Sequence, residues 1–312
     1  MGIGVAAHYF ASKVLIDSFL FIFVIIMKRK AIYFKQKPIF AVMLLRNLIL
    51  LGVITLLSFS CKRGANFEKR RLEPDVQKRL EWAYQYYEQA EYQKAQYLFE
   101  DLMGTVRGSA DQEKIYYYFA YTHYFMRNYN FAAYYFKQFY NTFPNSELAE
   151  EALFMSAESY FKLSPNYRLT QEDTEKAIEG YQLFVNSYPN SERISIGNEK
   201  IDKLRVKLEE KELENAKGYF RRRNYMAAKH CFNNLLADFP DTNNAEFVRF
   251  MILKSTFWYA QESILSKQVE RYQEVIKDFE VFKRKHSKSV LMKDAQNFYE
   301  ISKQRIKKIR NE

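Results

Sequence analysis

Two groups of side chains have the residue types and spacing that suit binding to another protein. The first is a set of tyrosines: Tyr84, Tyr87, Tyr117, Tyr121 and Tyr124. Tyrosine offers a rigid ring and a hydroxyl at low entropic cost, which suits an extended peptide that carries aromatic side chains. The second is the run Arg221, Arg222 and Arg223, whose guanidinium groups can pair with carboxylates of a partner. The competing interpretations are packing between structural repeats for the tyrosines and plain solvation for the arginines.

A further basic cluster lies near the C-terminus, at Lys303, Arg305, Lys307, Lys308 and Arg310. A solvated helix face, an acidic partner and anionic membrane headgroups are the three interpretations of it.

Seven of the 48 Lys and Arg residues and one of the 37 acidic residues precede residue 61, so the remainder has a net charge of +5. A nucleic-acid-binding domain has a much larger basic surplus. We therefore predict no nucleic acid partner.

The sequence contains no arrangement of residues that is typical of an enzyme. It has no glycine-rich phosphate loop, no His-Glu-x-x-His motif and no Gly-x-Ser-x-Gly motif. The four histidines are scattered, and His230 beside Cys231 is a poor metal pair because adjacent helical residues point in different directions. We predict a non-enzymatic protein with no metal and no cofactor.

Cys61 is the residue predicted to carry a covalent lipid. Arg46 precedes an apolar stretch from Leu48 to Phe59, and Ser58 and Ser60 come just before the cysteine. A basic residue, an apolar stretch and small residues at a processing point are typical of a secretory signal peptide. The segment resembles a bacterial lipoprotein signal, in which the cysteine becomes the lipidated first residue of the mature protein. An ordinary signal anchor that ends at Cys61 is the alternative.

The predicted organisation is a leader over residues 1–60, a lipidated tether over 61–74 and a repeat domain over 75–312. Residues 1–42 do not fit a lipoprotein signal, so they are an over-extended start if translation begins at Met43 or Met27. An additional membrane helix from Val14 to Met27 is the competing explanation.

A spaced pattern of aromatic and small residues recurs after residue 79. An aromatic lies three residues before a small residue, another lies four after it, and a large apolar residue lies seven after it. Three copies are Tyr92-Ala95-Phe99-Leu102, Tyr129-Ala132-Phe136-Phe139 and Tyr225-Ala228-Phe232-Leu235. Twelve residues before each small residue is another alanine, at Ala83, Ala120 and Ala216. The spacing is close to the roughly 34-residue tetratricopeptide (TPR) unit.

Each copy predicts two antiparallel helices, because alanine on both helices lets their backbones approach closely. The third copy has a lengthened loop around Ser164–Tyr167, the fifth is degenerate, and a final helix from about Leu291 to Ile309 is expected to cap the stack. With only 9 Gly and 6 Pro, an all-β fold is disfavoured. The sequence therefore predicts an all-α fold, a right-handed TPR superhelix of about five helix pairs plus a C-terminal capping helix.

The repeat also predicts where the tyrosines and the turn residues lie. If Ala83 and Ala120 face the core, the residues one and four positions later face the concave groove, and these are four of the five tyrosines. Tyr117, three residues before Ala120, joins them. Prolines end the second helices. The pairs after them are expected to cap the next helices: Asn145-Ser146, Asn190-Ser191 and Asp241-Thr242.

The order of these features resembles the BamD family of lipoproteins of the β-barrel assembly machinery. The resemblance covers about residues 75–290 and rests on the lengthened third-repeat loop, Tyr188-Pro189-Asn190-Ser191, Asp238-Phe239-Pro240-Asp241-Thr242 and the predicted lipid on Cys61. It implies a periplasm-facing protein, anchored in the outer membrane, that binds the barrel protein BamA and helps to deliver unfolded outer-membrane proteins. It further implies that the C-terminal segments of these substrates meet the tyrosines, and that BamA meets the arginines.

Two alternatives remain at the level of the sequence. A different TPR lipoprotein, which serves cell-wall or division proteins, would share this fold and this anchor. A glycan-capture lipoprotein of the SusD type is the other, although such proteins carry long insertions outside their helices that this chain lacks.

Overall fold

The computed structural model describes residues 46, 47, 49, 50, 66–109 and 111–311. The chain divides between Asp75 and Val76 into two units. In the first unit, residues 66–71 form a short helix. Cys61 and the segment from Val14 to Met27 lie outside the described residues. Among the residues that are described, no helix is both long enough and apolar enough to cross a membrane.

The second unit is entirely helical in the part that the structure describes. Its helices are α1 (Val76–Glu88), α2 (Tyr92–Met103), α3 (Asp111–Phe125), α4 (Tyr129–Thr142), α5 (Ala149–Leu163), α6 (Glu172–Ser187), α7 (Ile194–Arg221), α8 (Tyr225–Asp238), α9 (Ala245–Gln261), α10 (Leu265–Lys285) and α11 (Met292–Asn311). Each helix packs against the next, and α9 also contacts α11. Five helix pairs followed by a single helix confirm the predicted TPR superhelix and its cap.

Small residues lie where the two helices of each pair approach each other. The six alanines of the predicted pattern have no exposed surface, and neither have Ala157 and Ala177 of the third pair: Ala83, Ala95, Ala120, Ala132, Ala157, Ala177, Ala216 and Ala228. Phe99, Phe136 and Phe232, four residues after the small position, are fully buried beside them. Between α5 and α6 the approach is closer still, because a Cβ on Gly180 would lie 2.9 Å from the Cβ of Ala157. Only glycine fits at that crossing.

Three helix pairs share one type of turn between their first and second helices. Ala90, Arg127 and Arg223 occupy the left-handed backbone region, with φ of 58°, 62° and 61°. In each turn the next residue donates its N–H to a carbonyl five residues back, for example Asn224 N to Tyr219 O at 3.0 Å. This pattern satisfies the free carbonyls at the end of the first helix.

The hydroxyls after the prolines close turns and do not cap helices, so this prediction was wrong. Helices α5, α7 and α9 have Leu148, Arg193 and Asn244 at their N-caps, and none of these side chains makes a capping bond. Ser191 instead accepts from the N–H of Arg193 at 3.1 Å and donates to Glu150 Oε1 at 2.6 Å.

The same arrangement recurs through the stack, and we call it the glutamate–hydroxyl bridge. The bridges pair Glu113 with Ser146, Glu150 with Ser191, Glu209 with Thr242 and Glu246 with Ser289. In each bridge a carboxylate of the first helix of a pair accepts a hydrogen bond from the turn that follows the second helix. The second to fifth pairs are thereby each closed on themselves.

A buried charge joins the third helix pair to α7. The Glu158 side chain is 10% exposed, and its Oε2 accepts from the Tyr181 hydroxyl at 2.5 Å and from Lys200 Nζ at 2.6 Å. The Lys200 ammonium also lies 3.9 Å from the centre of the Phe161 ring. Burial and the bond to Glu158 raise the pKa of Tyr181, so its hydroxyl stays a donor. These contacts fix the first half of α7 against α5 and α6.

Helix α7 runs without a break over 28 residues into the fourth helix pair. Its lysines hold the lengthened loop between α5 and α6. Lys207 Nζ donates to Ser164 Oγ at 2.6 Å, and Lys211 Nζ donates to Leu169 O at 3.1 Å. The loop, predicted around Ser164–Tyr167, is therefore confirmed and is tied to the next pair.

Candidate functional site

The five predicted tyrosines lie on α1 and α3, the first helices of the first two pairs, and form one set of touching rings. Tyr117 and Tyr121 have ring centres 4.9 Å apart, and Tyr121 and Tyr124 6.4 Å apart. Tyr84 and Tyr87 on α1 reach this set through Tyr118, at 5.1 and 4.9 Å. Edge-on contacts dominate, which is a favourable geometry for aromatic pairs.

The five tyrosines differ in how much surface they present. Tyr117 is only 8% exposed, because it packs against Phe136 and Phe139 of α4. The other four are half-buried. Packing between neighbouring repeats therefore covers part of the surface of every ring. All of the tyrosines except Tyr117 keep an appreciable exposed surface that a ligand can contact. Peptide binding by these residues stays a prediction.

Phe125 is the aromatic residue that sequence reasoning missed. It is 44% exposed at the end of α3, and four rings surround it at 4.8–6.0 Å: Tyr87, Tyr92, Tyr121 and Tyr124. A large exposed aromatic framed by other rings is typical of an anchor for a binding partner. We call Tyr87, Tyr121, Tyr124 and Phe125 the open aromatic face.

The tyrosine hydroxyls are neutral hydrogen-bonding groups. Burial raises the pKa of Tyr84, Tyr117 and Tyr124 to about 12. The Tyr121 hydroxyl donates to Glu151 Oε1 on α5, so the aromatic surface is joined to the third helix pair. The pKa of Tyr121 is raised well above its usual value, mainly because the side chain is buried and secondly because of this bond.

The arginine turn, Arg221–Arg223, begins at the last residue of α7 and leads into α8, and all three side chains are exposed. The turn forces Arg223 into the left-handed region described above. Arg221 Nη1 lies 3.7 Å from Glu214 Oε2, and the Arg222 guanidinium lies 5.0 Å from the centre of the Tyr219 ring. These contacts support the guanidinium groups and leave them facing solvent.

Two shallow depressions adjoin the arginine turn. One, of about 420 Å³, is lined by Arg221, Arg222, Gly218 and Glu214, among others. The other, of about 300 Å³, includes Arg168 from the lengthened loop and again Arg221 and Glu214. Basic and acidic groups therefore alternate here, and a partner that fits this surface must carry carboxylates placed opposite the arginines. Docking of a partner at the arginine turn stays a prediction.

The remaining predicted site residue, Cys61, lies outside the described residues. Within residues 66–109 and 111–311, no group of three or more His, Cys, Asp or Glu side chains is placed to hold a metal ion. Cys231 is a free, partly buried thiol at the edge of the larger depression, and burial raises its pKa.

Known proteins with a similar fold are distant in sequence. A thermophilic TPR protein of Thermus thermophilus is 15% identical, with 73% of this chain and 98% of that chain covered and a TM-score of 0.29. The TPR2AB domain of yeast Sti1, in a complex with pHSP90, is 10% identical, with 77% and 99% covered and a TM-score of 0.32. No curated protein sequence matches the chain.

A family comparison is more specific. Residues 74–255 match the YfiO family, which is described as an outer membrane lipoprotein. The match begins just before α1 and ends within α9, so it includes the tyrosines, the lengthened loop and the arginine turn. Since it spans more than half of the chain, the chain belongs to the YfiO family of outer membrane lipoproteins, the family of BamD.

Proposed function

We propose that this protein is a non-enzymatic scaffold of the outer-membrane β-barrel assembly machinery. In this role it faces the periplasm, is held at the outer membrane by a lipid on Cys61, and binds both a BamA-like barrel protein and unfolded outer-membrane protein segments. Membership of the YfiO family is the observation that carries the proposal. The TPR stack supports it, since such stacks present extended surfaces to other proteins.

The open aromatic face is the proposed site for the unfolded substrate. Its rings are held in place by packing between α1 and α3, so a peptide binds without first ordering them. The acceptor Glu151 next to Tyr121 and the exposed ring of Phe125 offer one polar and one apolar contact within a short distance. An extended segment with alternating aromatic and polar side chains matches that combination.

Replacing Phe125 with alanine is expected to weaken binding of such a segment about 30-fold, because an anchor residue contributes about 2 kcal/mol or more. The probe is a fluorescent peptide with the sequence of the C-terminal strand of an outer-membrane barrel protein. Anisotropy with the detergent-solubilised full chain gives its Kd. Phe131→Ala is the matched control, since Phe131 is 57% exposed on α4 and outside the open aromatic face. Equal losses for both variants would assign the effect to general surface hydrophobicity.

The arginine turn is the proposed contact for the barrel protein. Reversing the charge of Arg221, Arg222 and Arg223 to glutamate is expected to lower recovery of that partner about 10-fold or more, because like charges then oppose each other. The measurement is affinity purification from detergent-solubilised envelopes through a C-terminal tag, with mass spectrometry of the retained proteins. A control that replaces the exposed Lys78, Lys114 and Lys203 with glutamate changes the net charge equally.

The same purification separates the proposal from its alternative. Recovery of a BamA-like protein with the wild-type bait supports the assembly role. Recovery of a cell-wall or division enzyme without any barrel protein would contradict it and favour a different envelope adaptor. Sequencing the N-terminus of the bait tests the acylated Cys61 in the same sample.

A further inference from the structure

The last three turns of α11 form a surface of one charge. From Ile301 to Asn311 the helix carries five basic residues and no acidic one. Lys303, Lys307 and Arg310 are exposed and follow the spacing i, i+4, i+7, which places them along one side of the helix. We call these three residues the basic stripe. In the part of the chain that the structure describes, none of the three is in an ion pair, and Lys303 lies over the Tyr299 ring at 5.1 Å.

The basic stripe borders an apolar depression between α10 and α11. The depression has a volume of about 390 Å³, and besides the basic stripe it is lined by the apolar Ile276 and Ile306 and the polar Gln273 and Asn311. The nearest acids along the chain are Asp294 and Glu300, which precede the stripe, and Glu312, which follows it. Glu300 accepts a hydrogen bond from the Gln296 side chain at 2.8 Å. Basic side chains beside apolar ones can bind a ligand that combines a phosphate group with a less polar region.

We propose that this end of α11 binds the anionic phospholipid surface of the membrane. The phosphate groups would lie against Lys303, Lys307 and Arg310, and the glycerol region above Ile276 and Ile306. Charge complementarity supports this occupant, since each Lys or Arg near an anionic bilayer strengthens binding about fivefold. Membership of an outer membrane lipoprotein family means that a membrane surface is present in the protein's own surroundings.

The contact adds a second point of attachment to whatever holds the N-terminal segment. A basic surface is a common second signal beside a covalent lipid. A second attachment also restricts the orientations of the helical stack relative to the bilayer. The inference is independent of which proteins bind the open aromatic face or the arginine turn.

The test measures the distance of the C-terminus from the bilayer in the full chain. A donor dye is coupled to a short C-terminal tag, and the protein is reconstituted into vesicles whose headgroups carry an acceptor. The vesicles contain phosphatidylcholine alone or with about 30 mol% phosphatidylglycerol, so that only the second kind attracts cations. Because the N-terminal attachment is the same in both, a difference in energy transfer reports on α11.

We expect higher energy transfer with phosphatidylglycerol and loss of the increase at high salt, because salt screens exposed charges. Replacing Lys303, Lys307 and Arg310 with glutamate is expected to lower the equilibrium constant for surface contact on the order of 100-fold or more. The Lys78, Lys114 and Lys203 reversal is the control with the same charge change, and circular dichroism confirms that both variants fold.

Three outcomes would overturn the inference. The first is equal transfer in both kinds of vesicle. The second is equal loss in the variant and its control. The third is full competition by millimolar inorganic phosphate, which would indicate a site for a single phosphate and not for a bilayer. If transfer is insensitive to lipid charge while the variant loses an acidic protein in affinity purification, the basic stripe binds that protein instead.

Discussion

Replacing Glu158 with alanine is expected to lower the free energy of unfolding by about 3–5 kcal/mol. The reason is that Lys200 and the Tyr181 hydroxyl both donate to this carboxylate, at 2.6 and 2.5 Å, in a region from which water is largely excluded. Removing the carboxylate leaves a lysine that is 20% exposed without its counter-charge and a buried hydroxyl without its acceptor. Urea unfolding of the detergent-solubilised chain, followed by circular dichroism, measures the loss.

Two controls separate the buried charge from ordinary ion pairing. Glu199→Ala removes the partner of Lys203 on the surface of α7, where both side chains are more than 60% exposed, and is expected to change the stability little because solvent screens such a pair. The double variant Glu158→Met, Lys200→Met removes both charges together and is expected to recover much of the lost stability, since apolar replacements of a buried pair are often neutral. A Glu158→Ala loss no larger than that of Glu199→Ala would show that the carboxylate is not needed for packing of α7.

Replacing Cys61 with alanine is expected to abolish attachment of fatty acid to the protein. The thiol is the only group at the predicted processing point that a lipid transferase can modify, and alanine has no nucleophile. Metabolic labelling with a palmitate analogue, followed by purification through a C-terminal tag, measures the incorporation. Without the lipid, the processed chain loses the apolar contribution of about 0.8 kcal/mol per buried CH₂ and is expected to leave the membrane fraction.

Cys231 provides a matched control, since it is the other cysteine of the chain. Cys231→Ala is expected to leave both labelling and membrane association unchanged, because this thiol belongs to the packed fourth helix pair. Labelling that survives in Cys61→Ala, or that disappears in Cys231→Ala, would contradict the assignment of the anchor.

The helix pairs could be predicted from the sequence because close approach of two helices demands small residues at fixed spacing. Alanine at positions 95 and 132, with an aromatic four residues later, predicts both the crossing and the core that surrounds it, and the structure buries all of these side chains. Features that depend on the geometry of a single turn could not be predicted from residue spacing. The spacing predicts Ser146 and Ser191 as helix caps, yet the helices begin three residues later, at Ala149 and Ile194. The two hydroxyls instead donate to glutamates that lie 33 and 41 residues earlier in the chain.

Residue spacing likewise predicted only part of the aromatic surface. Helical phase correctly grouped Tyr121 with Tyr124, since residues on one face follow from periodicity. Phase alone did not reveal that Phe136 and Phe139 cover Tyr117, or that Phe125 projects into the middle of the set. Both facts depend on how α4 and the turn before α2 meet α3, which is a matter of three-dimensional packing. The sequence signal for Phe125 was its position at the end of a helix already rich in tyrosine.

The glutamate–hydroxyl bridges bear on how the chain folds. Each bridge joins residues between 33 and 43 positions apart, so the second to fifth helix pairs can each form this hydrogen bond without waiting for distant segments. Chains dominated by such short-range contacts have low contact order and fold rapidly. A protein that crosses a membrane as an extended chain emerges gradually from its N-terminus. Under the proposed function, in which the chain is exported, helix pairs nearer the N-terminus can form while later ones are still crossing the membrane, which shortens the time for which apolar helix faces are open to aggregation.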